Sequence, residues 1–229
     1  MILTGRPWLI TVLLTGLFAL SPAHAGTTPE EVKRFEDNLA KAKVGDANAQ
    51  TGLAICYSIG MGVEKDDELA VFWWRKAAEQ GEATAQSLLG LKYKEGKGVA
   101  KDYEKAAFWF RKAAKQGMPQ AQRYLADAYH GGHGVEKDMV QATFWWRKAA
   151  EQGHVIAQFN LGLCYATGDG VAKDEIEAYA YWNLAGITNE DARQNLSILE
   201  KEMTPESRIL GQKRTKELQK EIEANKAGK

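Results

Sequence analysis

The sequence has little cysteine, little proline and no excess of charge of either sign. Thirty basic and thirty acidic side chains cancel over 229 residues, so no net electrostatic field favours nucleic acid or an anionic membrane surface as a partner. Two cysteines are too few for a small fold held together by several disulfides. The hydrolase motifs Gly-x-Ser-x-Gly and His-Glu-x-x-His are missing as well.

A hydrophobic run long enough to cross a membrane is also missing. The apolar run from Trp8 to Leu20 is shorter than the roughly 20 residues that a transmembrane helix needs. Arg6 precedes this run, and an Ala-x-Ala ending follows it at Ala25, which is typical of a secretory signal peptide. We therefore expect residues 1–25 to be cleaved after Ala25, leaving a periplasmic or secreted protein without a membrane span; a retained anchor is the less favoured alternative.

What the sequence has instead is a repeat of 36 residues, which occurs four times. Each copy carries a Gln, a Leu, a Tyr and a Gly-x-Gly-Val loop at the same spacing, followed by Lys-Asp and an aromatic pair. The leucines are Leu53, Leu89, Leu125 and Leu161. Regular spacing over this length predicts stacked structural units.

Within each repeat the spacing predicts two helices. Ala49, Leu53 and Tyr57 recur every four residues, which indicates a first helix with one apolar stripe. The Gly-x-Gly loop ends that helix, and an aspartate is expected to cap the second one. These aspartates are Asp66, Asp102, Asp138 and Asp174.

The pattern Ala-x-Ala-Gln-x-x-Leu-Gly-x-x-Tyr, then Gly-x-Gly-Val-x-Lys-Asp, then Trp-x-Arg-Lys-Ala-Ala-x-Gln-Gly resembles the Sel1-like repeat, a relative of the tetratricopeptide repeat. The resemblance covers roughly residues 30–210. It implies an all-α fold, a right-handed α-solenoid of antiparallel helix pairs. The fourth copy departs from the pattern at 182–186 (Trp-Asn-Leu-Ala-Gly), which we interpret as the start of a C-terminal cap.

The expected organisation places a capping helix at 26–44, the four repeats at 45–80, 81–116, 117–152 and 153–188, and capping helices with a polar tail at 189–229. Cys56 and Cys164 occupy the same position in the first and fourth repeats. Three helix pairs separate them, far beyond the roughly 7 Å that a disulfide allows between Cα atoms. We expect buried free thiols, with an intermolecular bridge as the alternative.

The resemblance implies that the first helix of each pair lines a concave surface. Side chains outside the Ala-Leu-Tyr stripe differ between the repeats, as a surface that recognises a partner would require. A candidate site on this surface comprises Ile55, Leu91, Lys94, Arg123, Asp127, His130, Ile156, Phe159 and Leu163. Unconstrained surface variation is the alternative interpretation.

Aromatic residues of the second helices offer a further candidate. Phe72, Phe108 and Phe144 lie nearly opposite the buried stripe. They predict either an exposed aromatic ladder or rings wedged between adjacent second helices, and we favour the wedged arrangement. The tryptophans occupy repeat positions typical of core packing.

These features predict a monomeric scaffold that binds a partner protein and has no catalytic residue, cofactor or metal. The resemblance also leaves open an immunity or inhibitor protein for an envelope toxin or cell-wall enzyme. A hydrolase of β-lactam or cell-wall substrates is less favoured, because relatives linked to that chemistry carry a disulfide in each repeat. His130 and His133 are a weak hint of metal binding, since no acidic or cysteine cluster lies beside them.

Overall fold

The computed structural model describes residues 27–228, so the predicted signal peptide lies outside the described residues. Within this range the regular structure consists of eleven α-helices, without strands. The helices are α1 (Pro29–Lys43), α2 (Ala47–Ile59), α3 (Asp67–Glu79), α4 (Ala83–Glu95), α5 (Tyr103–Lys115), α6 (Pro119–Gly131), α7 (Met139–Ala150), α8 (Val155–Thr167), α9 (Glu175–Ala185), α10 (Glu190–Glu202) and α11 (Pro205–Ala227).

The helices form antiparallel pairs that stack in chain order. In each repeat the first helix (α2, α4, α6, α8) packs against the second helix of its own pair and against the helix that precedes it. Since each pair contacts only its neighbours, the chain forms an all-α solenoid of helix pairs, as predicted. None of the helices between residues 27 and 228 has the length and apolar composition that crossing a bilayer requires.

The predicted helix ends are confirmed. Each second helix begins after an aspartate whose carboxylate accepts a hydrogen bond from an exposed backbone N–H, at 2.8 Å in the case of Asp66. Each first helix ends at a glycine in the left-handed region, with φ between 67° and 86°, which side chains other than glycine rarely adopt. Thr28 and Glu31 form a capping box at the start of α1.

The second glycine of each Gly-x-Gly loop lies against the preceding repeat. A Cβ atom built on Gly134 would be 2.0 Å from the carbonyl oxygen of Tyr103, at the start of α5. Gly98 and Gly170 face Asp67 and Met139 in the same way. The loop of one repeat thus packs directly on the start of the second helix before it, which sets the distance between repeats.

Buried glutamines connect the repeats by hydrogen bonds. Gln86 donates from Nε2 to the carbonyl oxygen of Ala78 in the preceding helix (3.1 Å), and its Oε1 accepts from Nε2 of Gln116 (2.8 Å). Gln50 and Gln122 make the equivalent pair of bonds. Both ends of these three buried amides are therefore satisfied, which avoids the cost of burying an unpaired polar group.

In the first three repeats an arginine of the second helix reaches a tyrosine of the next repeat. Arg75 donates to the hydroxyl of Tyr93 at 2.9 Å, and the bonds from Arg111 and Arg147 to their tyrosines are 3.1 and 2.9 Å long. Together with the leucines, which are fully buried, these contacts explain why the same residue types recur every 36 residues.

The C-terminal helices close the stack in a different way. Helix α11 packs against α9 rather than pairing with α10. Gly211 makes this approach possible, since a Cβ atom there would be 2.6 Å from the ring of Tyr179. The altered end of the fourth repeat, where Leu184 is buried, is thus the surface on which the terminal helix docks.

Both cysteines are unpaired and buried, as expected from their separation in the stack. Burial raises the pKa of each thiol above its ordinary value, because the thiolate would lose its hydration. The thiols therefore stay protonated at neutral pH and behave as small core side chains.

The favoured arrangement of the three phenylalanines is wrong. Phe72, Phe108 and Phe144 are 37%, 46% and 47% exposed. Each ring stands edge-on against the tryptophan that follows it in its own helix, with centroids 5.0–5.2 Å apart. The adjacent second helices do not come close enough to cover them, so these rings form the exposed ladder that was the alternative.

A candidate protein-binding face on the first helices

The candidate residues fall into four rows along the first helices. We call this surface the first-helix face, and it contains the equivalent positions 48, 51, 55 and 58 of the first repeat and their counterparts 36, 72 and 108 residues later. The nine predicted residues all belong to these rows. They are Ile55, Leu91, Asp127 and Leu163 in one row, Arg123 and Phe159 in another, Lys94 and His130 in the third, and Ile156 in the fourth.

The middle of the first-helix face is charged and internally bonded. Arg123 donates to the Asp127 carboxylate, with Nη1 and Oδ2 2.6 Å apart, one helical turn away. The other oxygen of Asp127 accepts from Nε1 of Trp146 at 3.0 Å, so this carboxylate links α6 to α7. The other three repeats have Ile55, Leu91 and Leu163 at this position, so the link is unique to the third repeat.

Two cations surround Tyr124 beside this link. The guanidinium carbon of Arg123 lies 3.8 Å from the Tyr124 ring centre, and the Lys94 amino group lies 5.3 Å from it. Phe110 stacks on the same tyrosine at 4.8 Å. Within the described residues Nε of Arg123 is buried without a hydrogen-bond partner, and Lys94 forms no ion pair. Repeats two and three thus place positive charge on a rigid aromatic base.

The histidines lie close to this region but do not converge on one point. His130 is exposed and its ring lies 5.4 Å from Trp146, whereas His133 stacks on Tyr103 at 5.1 Å. His154 contacts Gln120 at 2.8 Å, and burial, assisted by the charge of Arg123, lowers its pKa. A neutral His154 at physiological pH follows from that direction.

The fourth-repeat end of the first-helix face is apolar. Ile156 is 46% and Leu163 is 43% exposed, which leaves a patch open to solvent. Phe159 differs from the expectation of an exposed ring: it is half-buried, because it packs on a cluster formed by Trp182, Leu196 and neighbouring residues. Trp182 belongs to α9 of the fourth repeat, and the cap helix α10, which the repeat pattern does not include, supplies Leu196.

One row of the first-helix face is buried in the first two repeats. Thr51 and Ser87 are 6% and 5% exposed. The Thr51 hydroxyl donates at 3.0 Å to the carbonyl of Ala47 in its own helix, and lies 2.9 Å from the Glu82 carboxylate in the turn before α4. The third and fourth repeats have the larger residues Arg123 and Phe159 at this position, and both are partly buried.

The first-helix face presents groups suited to contact with another molecule. Among residues 27–228 no group of three histidine, cysteine or acidic side chains could hold a metal ion. Asp127 is committed to Arg123 and Trp146, and the two thiols are buried elsewhere in the stack. What the surface offers is exposed apolar side chains, fixed charges and aromatic rings, which is the composition of protein interfaces.

Comparison with known proteins agrees with this architecture. The Sel1 repeat profile matches residues 47–82, 83–118, 119–154 and 155–186, two residues later than the expected boundaries at the start of each repeat. No curated protein matches the chain. Two solved structures are similar: a Sel1 repeat protein from Oxalobacter formigenes, at 38% identity and a TM-score of 0.69, and a protective antigen of uropathogenic Escherichia coli strains, at 30% identity and a TM-score of 0.56.

The alignments cover 74% of this chain and 50% of the Oxalobacter protein, and 82% of this chain and 48% of the Escherichia coli protein. The chain therefore spans about half the length of these relatives. A third, more distant structure is the Helicobacter pylori cysteine rich protein B, at 26% identity and a TM-score of 0.46, over 58% of this chain and 96% of that one. From the four consecutive repeats and the helix pairs they form, the chain belongs to the Sel1 repeat family.

Proposed function

We propose that this protein is a periplasmic or secreted scaffold that binds a partner protein on its first-helix face. The single observation that carries the proposal is the contrast between positions within one repeated helix. The leucines of the apolar stripe are identical and fully buried in all four repeats, whereas the first-helix face beside them, which ranges from buried Thr51 to exposed Ile156, changes from repeat to repeat. Scaffolds for protein interactions are typical of this family.

The side chains suggest what the partner presents. Exposed Ile156 and Leu163 favour an apolar segment at the fourth-repeat end. Lys94, which lies beside Tyr124 and forms no ion pair within the described residues, favours an acidic or carbonyl-rich segment next to it. A partner segment that is acidic at one end and apolar at the other satisfies both, and it would lie along the solenoid across repeats two to four.

Export of the protein is proposed from the first 25 residues of the sequence. The apolar run followed by Ala-x-Ala at residues 23–25 supports export. An exported scaffold of this kind would act on envelope or extracellular proteins, and a toxin or a cell-wall enzyme would bind the same surface as any other partner. The identity of the captured protein distinguishes an immunity or inhibitor role from assembly or regulation.

The proposal predicts that substitutions on the first-helix face abolish capture without unfolding the chain. The variant is Lys94→Glu combined with Ile156→Asp and Leu163→Asp, which changes only side chains that are at least partly exposed. We expect the affinity for a partner captured by crosslinking in intact cells to fall at least tenfold, about 1.4 kcal/mol or more, because apolar contacts are lost and charge complementarity is reversed. Binding is measured by calorimetry with the purified partner.

The matched control is Ile209→Asp, which places the same charge on a 65% exposed isoleucine of α11. It should bind as the unchanged protein does, and the thermal midpoints of all three proteins should agree closely. If the triple variant binds the partner with unchanged affinity, the partner does not bind the first-helix face.

A further inference from the structure

The outer side of the second helices carries a regular, uncovered surface. We call it the second-helix ladder and define it as Phe72, Phe108 and Phe144, each followed one helical turn later by Lys76, Lys112 and Lys148. All three rings are more than a third exposed. The lysine amino groups lie 5.1, 4.9 and 6.0 Å from the ring centres, so every ring has a cation beside it.

The fourth repeat shows what this side of a second helix can bind. Positions 180 and 184, which correspond to the phenylalanine and the lysine of the ladder, are Ala180 and Leu184, and both are buried. Helix α11 covers them: its Leu218 and Ile222 belong to the same apolar cluster as Ala180 and Leu184. In the fourth repeat, therefore, an amphipathic helix of the same chain packs on the surface whose equivalents in the first three repeats are exposed phenylalanines.

Polar contacts fix α11 on that surface. Arg214 pairs with Glu177 of α9 at 2.7 Å, so a flanking charge accompanies the apolar contact. At its other end Asn225 donates to the backbone carbonyl of Glu151, which follows α7. Helix α11 thus crosses from α9 towards the end of α7. The surface of α9 that it covers corresponds to the second-helix ladder of the first three repeats.

The second-helix ladder has positive charges on one side of the phenylalanines and negative charges on the other. Within the described residues Lys76 and Lys112 form no ion pair, and Lys148 has only Glu151, at 3.6 Å. On the opposite side of the phenylalanines, one turn earlier, Glu68 and Glu104 are exposed. A helix with acidic residues along one flank of an apolar stripe would place that flank against the lysines, because the glutamates would repel it. The charges therefore fix which way round the helix lies on the phenylalanines.

We propose that the second-helix ladder is a second docking surface, which binds an amphipathic α-helix of a partner protein with leucine-type residues over the phenylalanines and carboxylates against the lysines. This surface lies on the second helices and is independent of the first-helix face. The scaffold would then hold two proteins at once, one on each set of helices.

The test uses the purified chain from Gly26 onwards and two fluorescein-labelled synthetic helices. One helix has leucines at helical spacing with glutamates along one flank, and its twin has lysines in place of those glutamates. By fluorescence anisotropy we expect the glutamate peptide to bind at least about tenfold more tightly than the lysine peptide. Phe108→Ala should weaken its binding about tenfold, because the central ring of the ladder is lost.

Lys112→Glu should lower the affinity for the glutamate peptide and raise the affinity for the lysine peptide. A folding defect would not produce this reversal. Leu163→Asp on the first-helix face and Ile209→Ala on α11 are the controls, and both should leave the affinity unchanged. Absence of glutamate-peptide binding, equal binding of the two peptides, or affinities insensitive to Phe108→Ala and Lys112→Glu would each overturn the proposal. A dimer in sedimentation that disappears in those two variants would instead assign the ladder to a second copy of the chain.

Discussion

Replacing Gly134 by alanine is expected to cost more than about 3 kcal/mol of unfolding free energy, because two separate penalties act at this position. Gly134 has φ of +71°, a conformation that alanine adopts only with strain. The new methyl group would also lie 2.0 Å from the carbonyl oxygen of Tyr103, a backbone atom that can move only if α5 moves. The clash separates repeat three from repeat two, so we expect reduced cooperativity in a denaturant titration as well.

Gly117→Ala is the matched control for this experiment. Gly117 also has a positive φ, +87°, but a methyl group there meets no atom within 4 Å. Its cost should be limited to backbone strain, about 1–2 kcal/mol. Similar denaturation midpoints for Gly134→Ala and Gly117→Ala would mean that the Gly-x-Gly loop does not contact the preceding repeat as described.

Trp109→Ala should cost about 3–5 kcal/mol, the range for removing a large aromatic side chain from a core. Trp109 is 9% exposed and belongs to the apolar cluster that runs from the first repeat into the third. Because neighbouring repeats stabilise one another, a cavity here weakens the stack on both sides. The measurement is the free energy of unfolding from guanidinium denaturation followed by circular dichroism.

The adjacent Phe108→Ala provides the comparison, because the same helix loses an aromatic ring that is 46% exposed. Its cost should stay below about 1.5 kcal/mol, since little cavity is created. An unchanged midpoint for Trp109→Ala, or equal losses for the two variants, would show that the buried and exposed sides of α5 have been exchanged.

Features fixed by local chemistry could be predicted from the sequence. An aspartate before each second helix and a glycine after each first helix act on the backbone a few residues away, so their roles follow from position alone. The buried stripe of Leu53 and its equivalents follows from the helical period. Repetition strengthened each inference, because one arrangement had to satisfy four copies.

Features set by long-range packing could not be predicted in the same way. A helical wheel shows that Phe72, Phe108 and Phe144 share a side, but whether another helix covers that side depends on the distance between second helices. The half-burial of Phe159 depends on α10, whose own sequence gives no indication of where it docks. The small residues Ala180 and Gly211 were the available signal that α9 and α11 approach closely.

The link from Asp127 to Trp146 was missed for a related reason. Both residues could be assigned to helices, yet the hydrogen bond between them depends on the rotation of α6 against α7. Asp127 belongs to the candidate site predicted from the sequence, and in the structure its two carboxylate oxygens are already bonded to Arg123 and to the indole of Trp146. Asp127 thus neutralises Arg123, and Lys94 is left as the cation without an ion pair in this part of the described first-helix face.

The most direct test of the central claim, that the first-helix face recognises a partner protein, is site-specific photo-crosslinking in intact cells. Benzoylphenylalanine would replace Lys94, His130 or Leu163 on the first-helix face, and Glu64 or Lys173 in the exposed loops as controls. The account predicts one crosslinked species of the same mass from the three first-helix positions and none from the loop positions. Crosslinks that appear only at the loops, or equally at all five positions, would contradict it.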